Sequence, residues 1–544
     1  MSTQAQTIPV GSTMEDYYRR QQLIDNKDSL TSFTARPFFP VASSKNVFYP
    51  DSTEKGYNKF SPGNVWKEDG FSFMLLPVSV QTQFNRNSPY GWNDGAMVPA
   101  KGLQTLLSAG FYAKYSILSI QIRPEFVSAA NQDFTDMNKN SYSTFVARYY
   151  DVYNNIDLPT RFGTGAYSKV YAGQSSIRLN YKSLSFGLST ENLWWGPGIR
   201  NSLLMSNSAP GFAHFTLNTT KPIETSIGSF EGQFIAGRLN NANINPLTPG
   251  WDYFSNPLYL PKPSDWRYLS GFVVTWQPKW VRGLFLGMTR SAQSYSNDLH
   301  SLGSYLPFFS PFKKVTADEP INKRDTRGSM FARWVWPEEH AEVYFEYGIN
   351  NNTNTFRNSL LEPQDGRAYV FGLRKLLPFN ASRHENIMIS IEATQLGGTT
   401  NNKILGLSEW YTNQYIRQGY TNDGQLLGAG IGPGANSQTL DISWVKGLKH
   451  IGIQLERYLH NDDFYYYAFV DTQDWRRHWV DMSGGLTGEW NVRNFIFNAK
   501  FLAIHSLNYQ WYLDRSKEVA GGPYYVGGQN AFNLQLQAGV TYRF

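Results

Sequence analysis

The chain has 544 residues, too many for one ordinary globular core, so it is either several domains or one large barrel. Aromatics make up 16% of it (16 Trp, 34 Tyr, 36 Phe) and charged residues only 17%, a balance opposite to that of disordered chains. Cysteine is absent and the net charge of +6 comes without a Lys/Arg cluster, which excludes thiolate metal sites, Cys catalysis and disulfides and argues against a nucleic-acid partner.

The N-terminus, Met1-Ser2-Thr3-Gln4, has no basic or apolar leader, and the expectation is that a signal peptide has been removed. Ser12-Thr13-Met14-Glu15 has the form of a capping box, so a short helix is predicted over 13–25. With Ser32-Phe33-Thr34-Ala35-Arg36-Pro37 it belongs to an N-terminal segment, 1–66, predicted to lie at the periplasmic mouth or to plug a lumen. No apolar run approaches the roughly 20 residues of a spanning helix.

From 67 to 544 the dominant signal is period 2. Met74, Leu76, Val78 and Val80 alternate with Leu75, Pro77, Ser79 and Gln81; Ile120, Ile122 and Phe126 alternate with Gln121, Arg123 and Glu125. Val343, Phe345 and Tyr347 alternate with Glu342, Tyr344 and Glu346, and Ile387, Ile389 and Ile391 with Met388, Ser390 and Glu392. Phe495, Phe497 and Phe501 continue the pattern, and the last 13 residues, from Phe532 to Phe544, alternate throughout. Such length exceeds a mean strand of about 5–6 residues. It suits a transmembrane strand with a lipid face and a lumen face. Ions in these strands, among them Arg123, Glu125, Glu342, Glu346, Glu392, Lys500 and Arg543, share the inner face.

Phase switches mark short turns at 114–116, 182–183, 278–282, 337–340, 378–385, 446–448 and 489–494. Long segments rich in Asn, Gly, Pro and aromatics separate them: 86–99, 131–171, 193–211, 240–267, 292–327, 351–365, 397–436, 460–476 and 514–528. Parity requires 460–476 to be a loop despite Phe464-Tyr465-Tyr466-Tyr467, and requires two strands within 212–239. The fold class is all-β: a transmembrane antiparallel barrel of about 18 strands, with short turns periplasmic and long loops outside.

Three stretches resemble the Wzi-like capsule-assembly family of outer-membrane proteins. They are Glu191-Asn192-Leu193-Trp194-Trp195-Gly196-Pro197-Gly198, Leu203 through Phe212, and Gln418-Gly419-Tyr420-Thr421-Asn422-Asp423-Gly424-Gln425 running on to Gly434. Arg161-Phe162-Gly163 and Arg367-Ala368-Tyr369 fit as well, so the resemblance covers nearly the whole chain. It implies an 18-stranded barrel with a helix near its periplasmic mouth and a lectin-like role in assembling or retaining surface polysaccharide. The Asn- and aromatic-rich loops look most like members from Bacteroidota, some of them associated with gliding motility. That leaves an alternative: an accessory subunit of a gliding, type 9 secretion or adhesion complex.

Sugar recognition needs aromatic faces and planar polar groups. The candidate polysaccharide-binding residues are Trp194, Trp195, Trp251, Tyr253, Trp410, Tyr411, Arg417, Tyr420 and Asp462. Each aromatic has a second reading, as interfacial girdle or loop packing. The run Gly428 to Gly434 lacks Gly-x-Gly-x-x-Gly spacing and reads as a rigid inward loop. No Gly-x-Ser-x-Gly or His-Glu-x-x-His occurs. Glu342 and Glu346 stand about 13 Å apart along a strand, beyond the roughly 5–9.5 Å of glycosidase pairs. No enzyme activity and no cofactor are therefore expected. Ca²⁺ at Asn350-Asn351-Asn352 or Asn461-Asp462-Asp463 is a possibility from oxygen ligands alone. Expected surroundings are outer-membrane lipid and lipopolysaccharide, with surface polysaccharide, outer-membrane proteins or lipoproteins as partners. A passive porin is a further alternative.

Overall fold

In a membrane every backbone N–H and C=O must find a partner within the chain, and a sheet meets that demand only by closing on itself. A computed structural model shows this closure. It describes residues 7–24, 31–39, 47–50, 64–68, 70–136, 143–300, 302–306, 323–350, 366–398, 409–469, 475–513, 519–522 and 530–544. Among them no helix is long and apolar enough to cross a membrane.

Eighteen antiparallel strands form one closed barrel. They are β1 (Phe71–Asn85), β2 (Gly102–Tyr115), β3 (Leu118–Ile122 with Glu125–Ala129), β4 (Tyr167–Tyr171 with Ser176–Tyr181), β5 (Leu184–Ser189) and β6 (His214–Thr219). Next come β7 (Gly228–Leu239), β8 (Arg267–Pro278), β9 (Leu284–Tyr295), β10 (Asp325–Trp336), β11 (Ala341–Asn350) and β12 (Arg367–Asn380). The last six are β13 (Glu385–Gln395), β14 (Asn436–Lys446), β15 (Lys449–Leu459), β16 (Val480–Val492), β17 (Phe495–Leu507) and β18 (Ala531–Tyr542). The last strand returns to the first in register, from Gln535↔Asn85 to Tyr542↔Val78.

The alternation sorts as read. Phe345, Phe371, Ile453, Phe501 and Leu536 point outward and are exposed, while Arg333, Glu342, Glu346, Gln535 and Arg543 point inward and are buried. One strand departs from the expectation. Met74 and Leu76 are buried inside and Val80 is outside, because the β1–β2 register shifts between Leu76 and Ser79. Pro77 lies within that interval and has no N–H for the ladder.

Both strands required within 212–239 are present as β6 and β7. The described part of 460–476, residues 460–469 and 475–476, has no strand and carries a helix, α3 (Asp462–Phe469); the Asn461 side-chain oxygen accepts the Phe464 N–H at 2.9 Å and caps it. The long segment 131–171 proves mixed, with helix α2 (Ser143–Tyr153) and the first residues of β4. The expected loop 514–528 lies largely outside the described residues.

The N-terminal helix α1 (Thr13–Ile24) starts at its predicted cap: Ser12 Oγ accepts the Glu15 N–H at 3.3 Å. Glu15 reaches back to the N–H of Gly11 rather than of Ser12, at 2.6 Å. The helix lies inside the barrel near the short turns. Arg20 donates to the carbonyl of Gly447 at 3.1 Å, and the His340 ring nitrogen meets that of Leu23 at 2.7 Å.

Val343 sits between Trp334 and Leu373 on the outward face. Replacing it with Arg should cost ~2–4 kcal/mol at mid-depth and reduce the folded fraction on a heat-modifiability gel; normal assembly would show the outward phase to be wrong.

Candidate functional site

The lumen is occupied from both ends. At the short-turn end, charge fixes α1 to the wall. Glu342 receives Arg19 Nε at 3.0 Å and Arg333 at 2.6 Å, with Arg374 at 3.7 Å. Arg374 also reaches Asp16 at 2.7 Å, and Asp16 meets Arg20 at 2.6 Å. Burial opposes the Asp16 charge, but Arg20 and Arg374 hold its carboxyl well below the usual carboxylate range.

Arg36 ties this helix to the Trp-Trp loop. It pairs with Glu15 at 2.6 Å, donates to the carbonyls of Gly196 and Gly198 at 3.0 and 2.8 Å, and lies 4.7 Å over the Trp194 ring. Ala35 and Arg36 form a two-residue ladder with Trp195 and Trp194. Gly196 has φ +99°, and a Cβ there would stand 2.8 Å from the Glu346 carboxylate, so the turn needs glycine. Beyond it, Glu392 accepts the N–H groups of Ile199, Arg200 and Asn201 at 2.8, 3.0 and 2.7 Å. That arrangement seats the loop like an anion in a backbone nest.

The second inward loop, 409–435, descends from the long-loop end. Tyr411 donates to the carbonyl of Leu203 and accepts from the Ala429 N–H, both at 2.9 Å. Tyr420 donates to Ser291 at 2.8 Å under the Arg327 guanidinium, 4.6 Å away. Trp410 donates to the carbonyl of Gly366 at 2.9 Å, and Trp195 to Gln233 at 2.8 Å. Gly428 and Gly430 lie against Tyr411 and Trp92 with no room for a Cβ. Of the nine candidates, Trp194, Trp195, Trp410, Tyr411 and Tyr420 are therefore buried, and all but Trp194 belong to one apolar core with Leu203, Leu204 and Leu427.

The other four, Trp251, Tyr253, Arg417 and Asp462, lie at the long-loop face. There α2 and α3 pack as an aromatic cap, with Phe145 5.2 Å from Phe469 and Phe464 4.8 Å from Trp511. Arg148 caps α3 by donating to the carbonyls of Tyr467 and Ala468 at 2.7 and 3.0 Å. Trp251 abuts this cluster beside Tyr150. Tyr253 and Phe254 meet edge to face at 4.5 Å on a small hairpin, and Phe254 is 83% exposed. Arg417 is committed to the carbonyls of Asn154, Leu260 and Pro261, and Asp462 to His478. Lys262, which sequence reading passed over, lies 4.5 Å from the Tyr153 ring; burial lowers its pKa to about 8 despite nearby Asp157.

Between the plug and the wall from β13 round to β3 remains a polar chamber of about 550 Å³, floored by Pro9–Asp16 and roofed by Asn93–Gly95. Asp94, Lys500, Asp441 and His450 line it. Burial pushes the Asp94 carboxyl up to about 6, against the pull of Lys500 and Arg200. Among the described residues no cluster of three or more His, Asp or Glu is placed to hold a metal; Asn351 and Asn352 lie outside them.

Two outcomes are expected of this geometry. Replacing Glu342 with Ala leaves two buried guanidiniums, Arg19 and Arg333, without a carboxylate partner, so it should cost roughly 3–5 kcal/mol and expose α1 to protease in detergent-held protein; unchanged protection would show that the network does not hold the helix. Glu409 is half-buried, and desolvation together with the nearby Asp463 charge raises its carboxyl to about 8. With a folded pKa above the unfolded one, its contribution is complete below the unfolded value and is lost as pH rises through about 8. Glu409→Gln should therefore flatten the fall in thermal stability between the usual carboxylate range and about pH 8, and an unchanged profile would refute the assignment.

A family model described as capsule assembly protein Wzi matches residues 99–479. Among solved structures, Wzi of Escherichia coli aligns with a TM-score of 0.60 at 12% identity, covering 99% of this chain and 100% of that one. It is described there as an outer-membrane protein involved in group 1 capsule assembly and a carbohydrate-binding β-barrel. OccD3 of Pseudomonas aeruginosa aligns with a TM-score of 0.40 at 11% identity, covering 89% and 93% of the two chains. OccAB2 of Acinetobacter baumannii gives 0.39 at 8%, covering 86% and 97%. No curated protein sequence matches. The barrel lies in the outer membrane, and the chain belongs to the capsule assembly protein Wzi family.

Proposed function

We propose that this protein is a non-catalytic outer-membrane barrel that binds cell-surface polysaccharide at its long-loop face and holds it there during capsule assembly or retention. The observation that carries this reading is the division of labour among the aromatics. Those of the inward loops are buried against protein partners, while Phe254 stands exposed and Tyr253 half-buried on a hairpin beside an aromatic cap. A preorganised aromatic edge loses little entropy when a sugar face stacks on it. The carbohydrate binding described for Escherichia coli Wzi supports the same reading.

In this reading residues 1–66 act with the barrel, 67–544, as a plug that closes it. Buried Trp194, Trp195, Trp410, Tyr411 and Tyr420 shape the outer face from below, and Trp251, Tyr253, Arg417 and Asp462 form or support the contact surface. Lipid and lipopolysaccharide surround the apolar belt. The family match points to capsule assembly; it lends nothing to the gliding, secretion or adhesion alternative. A filled lumen disfavours a porin.

The test is calorimetric titration of the refolded, detergent-held barrel with polysaccharide purified from its host's surface. The variant carrying Tyr253→Ala and Phe254→Ala should bind three- to tenfold more weakly, a loss on the order of 1 kcal/mol. Removing 397–436 would be a poor control, because that loop supplies core residues. Failure of the folded protein to bind would overturn the reading. In planar bilayers the protein should conduct far less than an open porin, and a large steady conductance would favour transport instead.

A further inference from the structure

Among the described residues the ladder of the closed barrel is interrupted at the outer end, between β4 and β7. Tyr167–Tyr171, the outer half of β4, is paired with β3 alone. The short strands β5 and β6 stop before reaching that level: Ser189 faces Ser176, and His214 faces Gly237. Among the described residues no ladder joins the outer half of β4 to the end of β7. A cleft of about 300 Å³ occupies this gap, lined by Lys169 from β4, Arg238 and Asn240 from the end of β7, Trp266 at the start of β8, and Asp423 behind. That is the small end of the ligand-sized range, ~300–1,000 Å³.

The frame of the cleft is rigid. Buried Arg267 donates to the carbonyls of Asn240 and Gly419 at 2.9 and 2.8 Å. Asn240 and the 421–426 hairpin are cross-linked, its N–H to Asn422 Oδ1 at 2.9 Å and its carbonyl from the Asp423 N–H at 3.1 Å. Asp423 in turn holds Lys169 at 2.8 Å, so Asp423 and Lys169 neutralise each other. That leaves Arg238, exposed, with its guanidinium 5.3 Å from the centre of the Trp266 ring. A guanidinium held against an indole keeps its N–H fork free to grip a carboxylate bidentately. Amides of Asn240, Asn241 and Asn243 line the same cleft and suit hydroxyls.

We propose that this cleft binds an acidic sugar residue, a uronate or its like, of a surface polysaccharide, with Arg238 on its carboxylate and the asparagine amides on its hydroxyls. The inference rests on the polysaccharide-binding reading and adds to it the charge class of the glycan and a second contact point, set at the side of the barrel.

The experiment uses the full chain in detergent, titrated calorimetrically with oligogalacturonate and with neutral dextran oligomers of matched length. The wild type should prefer the uronate, and more weakly as salt rises. Arg238→Gln should lose about tenfold or more in uronate affinity, Arg238→Lys should lose less, and Trp266→Ala should also weaken binding. Each variant must run as a folded barrel on a heat-modifiability gel. Equal affinity for uronate and dextran, or wild-type uronate binding by both Arg238→Gln and Trp266→Ala, would overturn the proposal. Binding of host polysaccharide without uronate binding overturns the cleft alone; binding of neither overturns the broader reading with it. If Arg238→Gln loses only its retention on lipid A vesicles, Arg238 is a lipid contact and the sugar assignment falls.

Discussion

Glu342 is one carboxylate among three guanidiniums, all inside a lipid-embedded barrel. Two of those guanidiniums, Arg333 and Arg374, come from the wall, and one, Arg19, from the N-terminal helix. Charges taken out of water are tolerated only when paired, and the carboxylate that pairs the helix's Arg19 lies 323 residues away in the chain. The helix therefore cannot leave without stranding ions that a membrane interior will not hydrate. Asp16, Glu15 and Arg36 extend the cluster to the Trp-Trp loop, so one electrostatic knot fixes helix, loop and wall together.

Everything above that knot follows from a lumen already filled. The Trp-Trp loop gives the second loop its seat, through Leu203 to Tyr411. The second loop gives the rim its brace, through Gly419 and Asn422 to Arg267 and Asn240. Residues whose chemistry suits sugar are spent on this scaffold, and its product is a stiff outer surface. A stiff surface binds with less loss of entropy than free loops would. The same brace backs the gap between β4 and β7, which without it would be an open side of the barrel.

Much of the fold was legible in the amino-acid order. A strand's period is a property of neighbouring residues, so the lipid and lumen faces of β11, β17 and β18 could be read directly. Turn parity then supplied the strand number, and Ser12 with Glu15 supplied the helix start. The errors were local as well. Pro77 interrupts the β1 ladder and exchanges its faces, a shift that hydrophobic alternation alone does not reveal. The site was less legible. Exposed Trp or Tyr in a loop and buried Trp or Tyr in a loop that folds inward have the same sequence signature, so Trp410, Tyr411 and Tyr420 looked like contact residues. Trp266 and Arg238 drew no notice, because their value comes from neighbours far away in the chain.

The sequence by itself determined the barrel, its faces, its approximate strand number and its helical cap, because each depends on local periodicity and on the demand that backbone groups be paired in lipid. Only the tertiary structure decided which loops enter the lumen, which aromatics are buried there and where the ladder is interrupted. Those outcomes rest on hydrogen bonds and ion pairs between residues hundreds of positions apart, and no local pattern encodes such partners.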